Sequence, residues 1–338
     1  SREKQLLSSV KSDCSLFSRF YISCQTRDGN LDEFFAHENQ ACPPSLSHMG
    51  KLRLPLGTKS DIVSYLEELV PTPTKDSRTN ESLYDNTPAV NVVILDGAAL
   101  VNMLKPGTVR TFSEYASQIF SPYITTQLQR VQRVDVVLDD YVDGSLKEYT
   151  QSTRGKGSRW RVGSLNTLPK NWQEFLRNDA NKAELFTFLS LQIANLITPF
   201  HRTHHRDVLC TQPRDTTQLA PCTQEEADTR IFLHLRDATN QGCRKAMIRT
   251  VDSDVVVLAV AAVPQLNIDE LWIAFGTGKS FRYLPAHHMS NAHGPDRCTG
   301  LPFLLAFSAC DTVSCFGGRG KRTVWDIWKA YDEVTPAL

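Results

Sequence analysis

The run AVNVVIL at residues 89–95 constrains the fold most, because it is almost continuously apolar and rich in β-branched side chains. A strand without alternation of apolar and polar side chains is typically buried on both faces, as strands of parallel sheets are. Parallel strands need crossover connections, so this run predicts a sheet covered by helices. Three later runs are interpreted as strands of the same sheet: VDVVL at 134–138, KAMIRTV at 245–251 and LWIAF at 271–275.

Two segments between these runs have the spacing of apolar side chains that is typical of helices. The first is 111–129, in which Pro122 is expected to kink or divide the helix because proline lacks an N–H. The second is 223–242, in which Gly242 is the expected C-terminal stop. Strands alternating with helices predict an α/β fold with a mostly parallel sheet and right-handed crossovers. The apolar stripe of the second helix consists of Ala227, Ile231, Leu235 and Ala238.

The N-terminal part of the chain has weaker patterns. Residues 60–70 have the pattern of an amphipathic helix, with Ser60 or Asp61 as its cap. The stretch PTPTKDSRTNESLYDNTPA that follows is rich in proline, threonine, serine and asparagine, as linkers and long loops are. We therefore expect an N-terminal extension of residues 1–88 and a main domain of residues 89–338.

The composition limits the class of protein. Lys and Arg number 37 and Asp and Glu also number 37, so a polyanionic partner is not indicated by net charge and must be inferred from local clusters. Nine cysteines without regular spacing favour reduced thiols over a disulfide framework. The first residues lack a secretory signal pattern and no run is long enough to span a bilayer. These features predict an intracellular protein, nuclear or cytoplasmic, without a membrane partner.

Each of the first three strands ends in acidic residues. Asp96 follows the first strand, Asp139 and Asp140 follow the second, and Asp252 and Asp254 follow the third. The C-terminal ends of parallel strands share one edge of the sheet, where ligands bind in such folds. Carboxylates gathered at one edge repel each other, so their convergence predicts a compensating cation. Aspartate is also a favoured helix cap and turn residue, which explains any one of these strands by itself.

Two later segments carry further acids. In CTQEEADTR, Glu226 lies three residues after Thr223, which is also the spacing of a helix capping box. That spacing does not account for Asp228. In LLAFSACDTVSC, Asp311 stands beside a glycine-rich turn, where a cap or turn role is equally available.

The order of the motifs ILDG, VVLDD, EEAD, TVDSD and ACD, followed by GGRGKRTVWDIW, resembles the flap endonuclease and XPG type of structure-specific nucleases, which have a PIN-like fold. The resemblance covers roughly residues 90–335. ACD replaces the commoner G-C-D, and either Asp139 or Asp140 can fill the position after the second strand. The chain is also similar to uncharacterised animal proteins that recur in many copies, which suits a mobile-element origin. Seven metal-binding carboxylates are implied by the resemblance, namely Asp96, Asp139, Glu226, Asp228, Asp252, Asp254 and Asp311.

The resemblance implies a PIN-like (Rossmann-like) nuclease that cuts DNA, including flap or branched structures, in preference to RNA. Two Mg²⁺ or Mn²⁺ ions, about 3.5–4 Å apart, can activate water and stabilise the leaving oxygen in phosphodiester hydrolysis. Oxygen ligands suit both of these ions. An alternative of a different class is a PIN-like domain that binds nucleic acid or a protein partner without cleaving, with its acids occupied by arginines such as Arg230 and Arg249.

A first cluster of basic residues lies in 146–162, directly after the second acidic strand. The nucleases that the chain resembles have a basic arch at this point, so we expect an arch-like insertion at about 140–200. Trp160 could stack there on a base. The alternative is a solvated basic loop. The candidate nucleic-acid contacts are Lys147, Arg154, Lys156, Arg159 and Arg161.

A second basic cluster, GGRGKRT at 317–323, lies in a segment at about 311–331 that is similar to a helix-hairpin-helix motif. Glycines at a helix start expose N–H groups that can hold a phosphate. The added charges are those of Arg319, Lys321 and Arg322, although Lys321 stands where the motif usually has proline. A plain glycine-rich helix start explains the pattern equally well.

Two motifs are similar to ligand-binding sequences but predict local structure only. GTGKS at 276–280 lacks the earlier glycine of a phosphate-binding loop and, between LWIAF and FRYLP, indicates a hairpin turn. The histidines and Cys210 of FHRTHHRDVLC match no standard zinc spacing, so this segment is interpreted as polar surface.

Overall fold

A computed structural model provides the fold. The structure describes residues 87–139, 158–194, 227–308 and 315–337 without a break. Further described positions are 47–48, 51–52, 60–68, 70, 196, 207–210 and 219, with isolated residues between 11 and 25.

The chain divides into two compact units, Ser1–Arg53 and Leu54–Leu338. In the first unit, strands β1 (Ser47–His48) and β2 (Lys51–Leu52) form a short antiparallel pair. The second unit contains helix α1 (Asp61–Glu67), whose apolar side chains belong to the main core. The helix expected from the sequence is therefore present, and it is part of the unit that carries the sheet.

The second unit is built on a six-stranded sheet. Its strands are β3 (Val92–Asp96), β4 (Arg133–Val137), β5 (Asp207–Cys210), β6 (Lys245–Thr250), β7 (Glu270–Phe275) and β8 (Arg282–Pro285). Their order is β5-β4-β3-β6-β7-β8, with the first five parallel and β8 antiparallel to β7. The prediction of an α/β fold with a mostly parallel sheet is confirmed.

Helices cover the sheet on both faces. They are α2 (Gly97–Met103), α3 (Phe112–Tyr115), α4 (Ser121–Arg130), α5 (Trp172–Leu176), α6 (Asp179–Ala194), α7 (Ala227–Asn240), α8 (Ser253–Ala262), α9 (Ala286–His293), α10 (Pro295–Phe307) and α11 (Lys321–Ala330). Side chains alternate across each strand. Val92 and Ile94 pack with α1, α7 and α8, whereas Val93 and Leu95 pack with the helices from α2 to α6.

The predicted helix at 111–129 is helical from Phe112 to Arg130, and Pro122 does not end it. A π-helical turn, Ala116–Phe120, joins α3 to α4 and directly precedes the turn that contains Pro122. In a regular α-helix the proline ring would clash with the carbonyl four residues earlier. The wider π turn changes the hydrogen-bond spacing at this point, so the helix continues past the proline.

The predicted helix at 223–242 corresponds to α7, with residues 223–226 outside the described part of the chain. The four residues of its apolar stripe are all buried, as expected. Gly242 has φ +91°, its N–H donates to Thr239, and the N–H of Cys243 donates to Ala238. Glycine adopts this left-handed conformation without steric penalty, so Gly242 is the predicted helix stop.

A buried polar network joins β4 to α7. Arg133 donates from Nε and Nη2 to the two carboxylate oxygens of Asp135, at 2.8 and 2.7 Å. His234 Nδ1 lies 2.7 Å from Asp135 Oδ2, and Arg133 also pairs with Asp237 at 2.7 Å. Burial by itself would lower the pKa of Arg133, but the hydrogen bonds and charges of its two acidic partners outweigh it and raise the pKa. The buried guanidinium is thus held charged.

A second buried contact fixes α1 onto the core. His293 Nε2, at the end of α9, lies 3.2 Å from the carbonyl oxygen of Leu66. The His293 ring packs edge-on against Trp325 of α11, which also stacks on Tyr65 of α1. Burial lowers the pKa of His293, and the charge of Arg297 lowers it further against the effect of the Leu66 hydrogen bond.

Two local predictions have different outcomes. GTGKS is the connection between antiparallel strands β7 and β8, as predicted for a hairpin. The end of FHRTHHRDVLC, predicted as polar surface, is strand β5, which pairs in parallel with β4 at the edge of the sheet. The three histidines of that segment lie outside the described residues. Within the part of the chain that the structure describes, none of the helices has the length and apolar character to cross a membrane.

Candidate functional site

Asp96 lies where β3 passes into α2, at the C-terminal edge of the sheet. It is the N-cap of α2, only 4% exposed, and its Oδ1 accepts a hydrogen bond of 3.0 Å from the N–H of Ala99. Its Oδ2 accepts a hydrogen bond of 2.8 Å from the hydroxyl of Thr250, the last residue of β6. The N-terminus of α2 therefore fixes one oxygen of this carboxylate, and the end of β6 fixes the other.

Asp139 follows β4 at the same edge. Its Oδ1 accepts a hydrogen bond of 2.9 Å from the N–H of Ala227, the first described residue of α7. Asp228 is the next residue and lies in the first turn of that helix. Asp140 and Glu226 lie outside the described part of the chain. The end of β4 and the start of α7 thus meet at Asp139.

Asp252 follows β6 and is the N-cap of α8. Its Oδ1 accepts from the N–H of Asp254 at 2.8 Å, and its own N–H donates to the Thr250 hydroxyl at 3.1 Å. Thr250 therefore connects Asp96 to Asp252, because its hydroxyl donates to the first and accepts from the second. Thr250 is not among the residues predicted from the sequence, although its position directly before VDSD at a strand end is a usable signal.

The carboxylates of Asp96, Asp139 and Asp252 share one electrostatic environment. The pKa of Asp96 rises from 3.8 to about 6, mainly because of burial, and the negative charges of Asp139 and Asp252 raise it further. Hydrogen bonds from Ala99 and Thr250 oppose this rise. The three strands thus bring their acids together, as expected from a parallel sheet. We call these three residues, with Asp228 and Asp254 of the adjoining helices, the acidic edge.

Gly97 permits the close approach of two of these strand ends. A Cβ atom on Gly97 would overlap Leu138 Cδ2 and lie 2.9 Å from the carbonyl oxygen of Val137. Any larger side chain would therefore push the start of α2 away from the end of β4. Glycine at this position allows Asp96 and Asp139 to lie within electrostatic reach of each other.

The hydrogen bonds at the acidic edge are also those of helix caps. Asp96 and Asp252 are N-cap residues, and Asp139 accepts from the N-terminus of α7. Among the described residues, no group of three or more His, Cys, Asp or Glu side chains is placed to hold a metal ion. Glu226 and Asp311, which complete the implied set of ligands, lie outside those residues. Asp96, Asp139 and Asp252 therefore cap helices in the structure, which is one of the two roles that the sequence left open for them.

Arg230 and Arg249, the arginines considered as occupants of the acids, have different surroundings. Arg230 is buried and its Nη1 lies 3.4 Å from the carbonyl oxygen of Leu138, close to the acidic edge. Arg249 donates to the carbonyl oxygens of Thr250, Ala274 and Gly276, at 2.7–2.8 Å. Arg249 thus lies on the opposite face of β6 from the Thr250 side chain.

The described part of the first basic cluster packs along α6. Arg159 forms an ion pair with Glu184 and donates to Asn181, and Trp160 is partly buried against the core of that face. Arg161 is exposed. Helices α5 and α6, within the expected arch-like insertion, also contribute to this core. Lys147, Arg154 and Lys156 lie outside the described residues.

The second basic cluster is only partly on the surface. Lys321 is 4% exposed, and its Nζ lies 3.3 Å from Ser308 Oγ. Arg319 is exposed, as is Arg322, which pairs with Glu68 at 2.6 Å and with Asp326 at 3.0 Å. Lys321 therefore faces the interior, and the surface charge of this cluster is that of the two arginines.

No protein-family model matches this chain, and no curated protein matches it. The acidic edge and the sequence motifs are therefore the basis on which a function can be proposed.

Proposed function

We propose that this protein is a metal-dependent nuclease with a PIN-like domain of the flap endonuclease and XPG type, which hydrolyses phosphodiester bonds in DNA. The observation that carries the proposal is the shared electrostatic environment of Asp96, Asp139 and Asp252, delivered by three different strands. The negative charges of Asp139 and Asp252 raise the pKa of the buried Asp96 carboxyl, and a bound cation would offset this repulsion. Oxygen donors of this kind suit Mg²⁺ or Mn²⁺.

In this proposal, two divalent ions supply the activation of water and the neutralisation of the charge that develops on the phosphate. The ligands would come from the acidic edge, completed by Glu226 and Asp311. The protein's own part is to hold these carboxylates in place before the ions bind. Thr250 fixes one oxygen of Asp96, while the N-terminal N–H groups of α2, α7 and α8 orient the carboxylates. Hydrogen bonding of ligating carboxylates by surrounding groups is typical of metal sites.

The DNA would approach the acidic edge through positively charged side chains. The exposed candidates among the described residues are Arg159, Arg161, Arg319 and Arg322. Each surface contact with a phosphate adds sequence-independent affinity that falls with salt concentration. Flap or branched DNA in preference to RNA is the substrate class in this proposal.

The test is cleavage of end-labelled single-stranded DNA, duplex DNA, flap DNA and single-stranded RNA with Mg²⁺ or Mn²⁺. Asp252→Asn should lower the cleavage rate by about 100-fold or more, since even partners of metal ligands are typically worth 10–100-fold. The matched control is Asp269→Asn, an exposed aspartate before β7. Residual cleavage that is equal in the Asp252 variant and the wild type would assign the activity to a contaminant or another site.

The capping hydrogen bonds favour a second candidate, a domain that binds nucleic acid without cleaving it. In this case the acids of Asp96, Asp139 and Asp252 act as helix caps only. Binding of DNA with no cleavage in either metal, and no effect of divalent ions on protein stability, would support this candidate against the nuclease.

A further inference from the structure

A cavity of about 650 Å³ lies on the face of the sheet opposite α7 and α8. Its floor is formed by apolar side chains of three adjacent parallel strands, among them Val93, Met247 and Ala274. One wall is α4, which contributes Tyr123 and Gln127. Small-molecule sites are typically concave, mostly apolar and about 300–1,000 Å³ in volume. The cavity has the size and lining of such a site.

The lining is positively charged. Arg249 and Arg130 are both among the described lining residues, and none of those residues is Asp or Glu. Arg249 stands near the C-terminal end of β6, whereas Arg130 ends α4 just before β4 begins. Because β4 and β6 run parallel in the sheet, the two arginines lie towards opposite ends of the cavity.

Arg249 is the buried one of the two arginines, with only 6% of its surface exposed. Its guanidinium donates to three main-chain carbonyls and lies over the ring of Phe281, 5.2 Å from the centroid. These dipoles hold the group in place but carry no net negative charge. A buried cation that is compensated by dipoles alone keeps a strong attraction for an anion that can enter beside it.

The phenol of Tyr123 adds a polar group near Arg249. Burial raises the pKa of Tyr123, and the charge and hydrogen bond of Arg249 act in the opposite direction. The hydroxyl is therefore a neutral donor next to a fixed cation at ordinary pH. One end of the cavity offers polar recognition groups, while the strands offer an apolar floor.

We propose that this cavity binds a small organic anion with an apolar body, whose carboxylate or sulfonate group lies against Arg249 and Tyr123. The site is separate from the acidic edge, since residues 249 and 250 of β6 point to opposite faces of the sheet. The proposal does not depend on the nuclease activity.

The probe is 8-anilinonaphthalene-1-sulfonate, an aromatic sulfonate whose fluorescence rises in apolar surroundings, with uncharged N-phenyl-1-naphthylamine as its neutral counterpart. The full chain should bind the sulfonate saturably with one-to-one stoichiometry. Ala274→Leu, which fills the floor of the cavity, should weaken both probes. Arg249→Met should weaken the sulfonate by about tenfold and leave the neutral probe within about twofold, as expected for one charged hydrogen bond.

Arg236→Ala, an exposed arginine of α7, is the matched control and should not affect either probe. Circular dichroism checks the fold of each variant. If Arg249→Met does not fold, Tyr123→Phe provides the test and should weaken sulfonate binding by about threefold, as loss of a single polar contact does. Unsaturable binding by the wild type, equal affinity in Ala274→Leu, or no change in every folded variant of the polar residues would overturn the proposal.

Discussion

Replacement of Asp96 by asparagine tests whether the negative charge of this buried carboxylate destabilises the fold. The pKa of Asp96 rises from 3.8 to about 6, and one pKa unit corresponds to about 1.4 kcal/mol, so the charged carboxylate destabilises the fold by about 3 kcal/mol above pH 6. The charged form is destabilising because the folded state holds the proton of Asp96 more tightly than the unfolded chain does. This penalty is complete above pH 6 and disappears as the pH falls towards 3.8.

Asp96→Asn removes the charge and keeps an oxygen that can accept from Ala99. The Thr250 hydroxyl can turn and accept from the new amide group, so both hydrogen bonds have a replacement. We expect the free energy of unfolding at pH 7.5 to rise by about 1–3 kcal/mol in the absence of divalent ions. Urea denaturation in EDTA, followed by tryptophan fluorescence, measures it, with an unchanged m-value as the sign that only stability has changed.

Asp269→Asn is the control and should change stability by less than about 0.5 kcal/mol, as exposed substitutions do. Addition of Mn²⁺ should then stabilise the wild type, by about 2.7 kcal/mol at a concentration of 100 Kd, and stabilise Asp96→Asn much less. A loss of more than about 1 kcal/mol in Asp96→Asn in EDTA would refute this reasoning, since it would mean that the carboxylate is a net stabilising cap.

Three other substitutions test buried contacts of the fold. Gly97→Ala should destabilise the protein by about 1–3 kcal/mol in urea denaturation, because its Cβ overlaps Leu138, whereas Gly163→Ala, with only ordinary contacts, should be neutral or slightly stabilising. Asp135→Asn should lower the free energy of unfolding by about 3–5 kcal/mol, since it leaves a buried guanidinium with a weakened partner. The pKa of buried His293 lies below its ordinary value of 6.5, so its contribution to stability is complete above 6.5 and is lost as the pH falls towards the folded pKa. His293→Gln should reduce the loss of stability between pH 7.5 and 5.5; an unchanged pH dependence would contradict this role.

The central strands could be predicted because strands that are buried on both faces have nearly continuous apolar runs in the sequence. The run at 89–95 covers β3 except for its last residue, Asp96, and the stripe of α7 is buried as its spacing indicates. Helix α6 is different, because its segment AELFTFLSLQIA is apolar on nearly all sides and gives no stripe. Helix α10 contains Gly300 and Pro302, which argue against a helix locally and are tolerated here by tertiary packing.

The acidic edge was predictable to a similar extent. The positions of Asp96, Asp139 and Asp252 at strand ends follow from the order of apolar runs, and the topology of a parallel sheet brings such positions together. The role of Thr250 and the burial of Lys321 could not be predicted, because each depends on contacts between segments far apart in the chain. From its charge alone, Lys321 is expected on the surface. In the structure it is buried and packs against Ser308.

Helix capping does not by itself explain the acidic edge. A cap needs only an oxygen that accepts a hydrogen bond, and serine, threonine or asparagine would serve as well as aspartate without adding charge. The chain instead places carboxylates at three strand ends, within reach of one another, at a position where Asp96 is almost fully buried. A charged carboxylate that is buried in this way lowers the stability of the fold. Such a loss of stability is typical of sites that bind a ligand of opposite charge. In the proposed nuclease, the caps orient the carboxylates and a divalent cation would offset the repulsion between their charges.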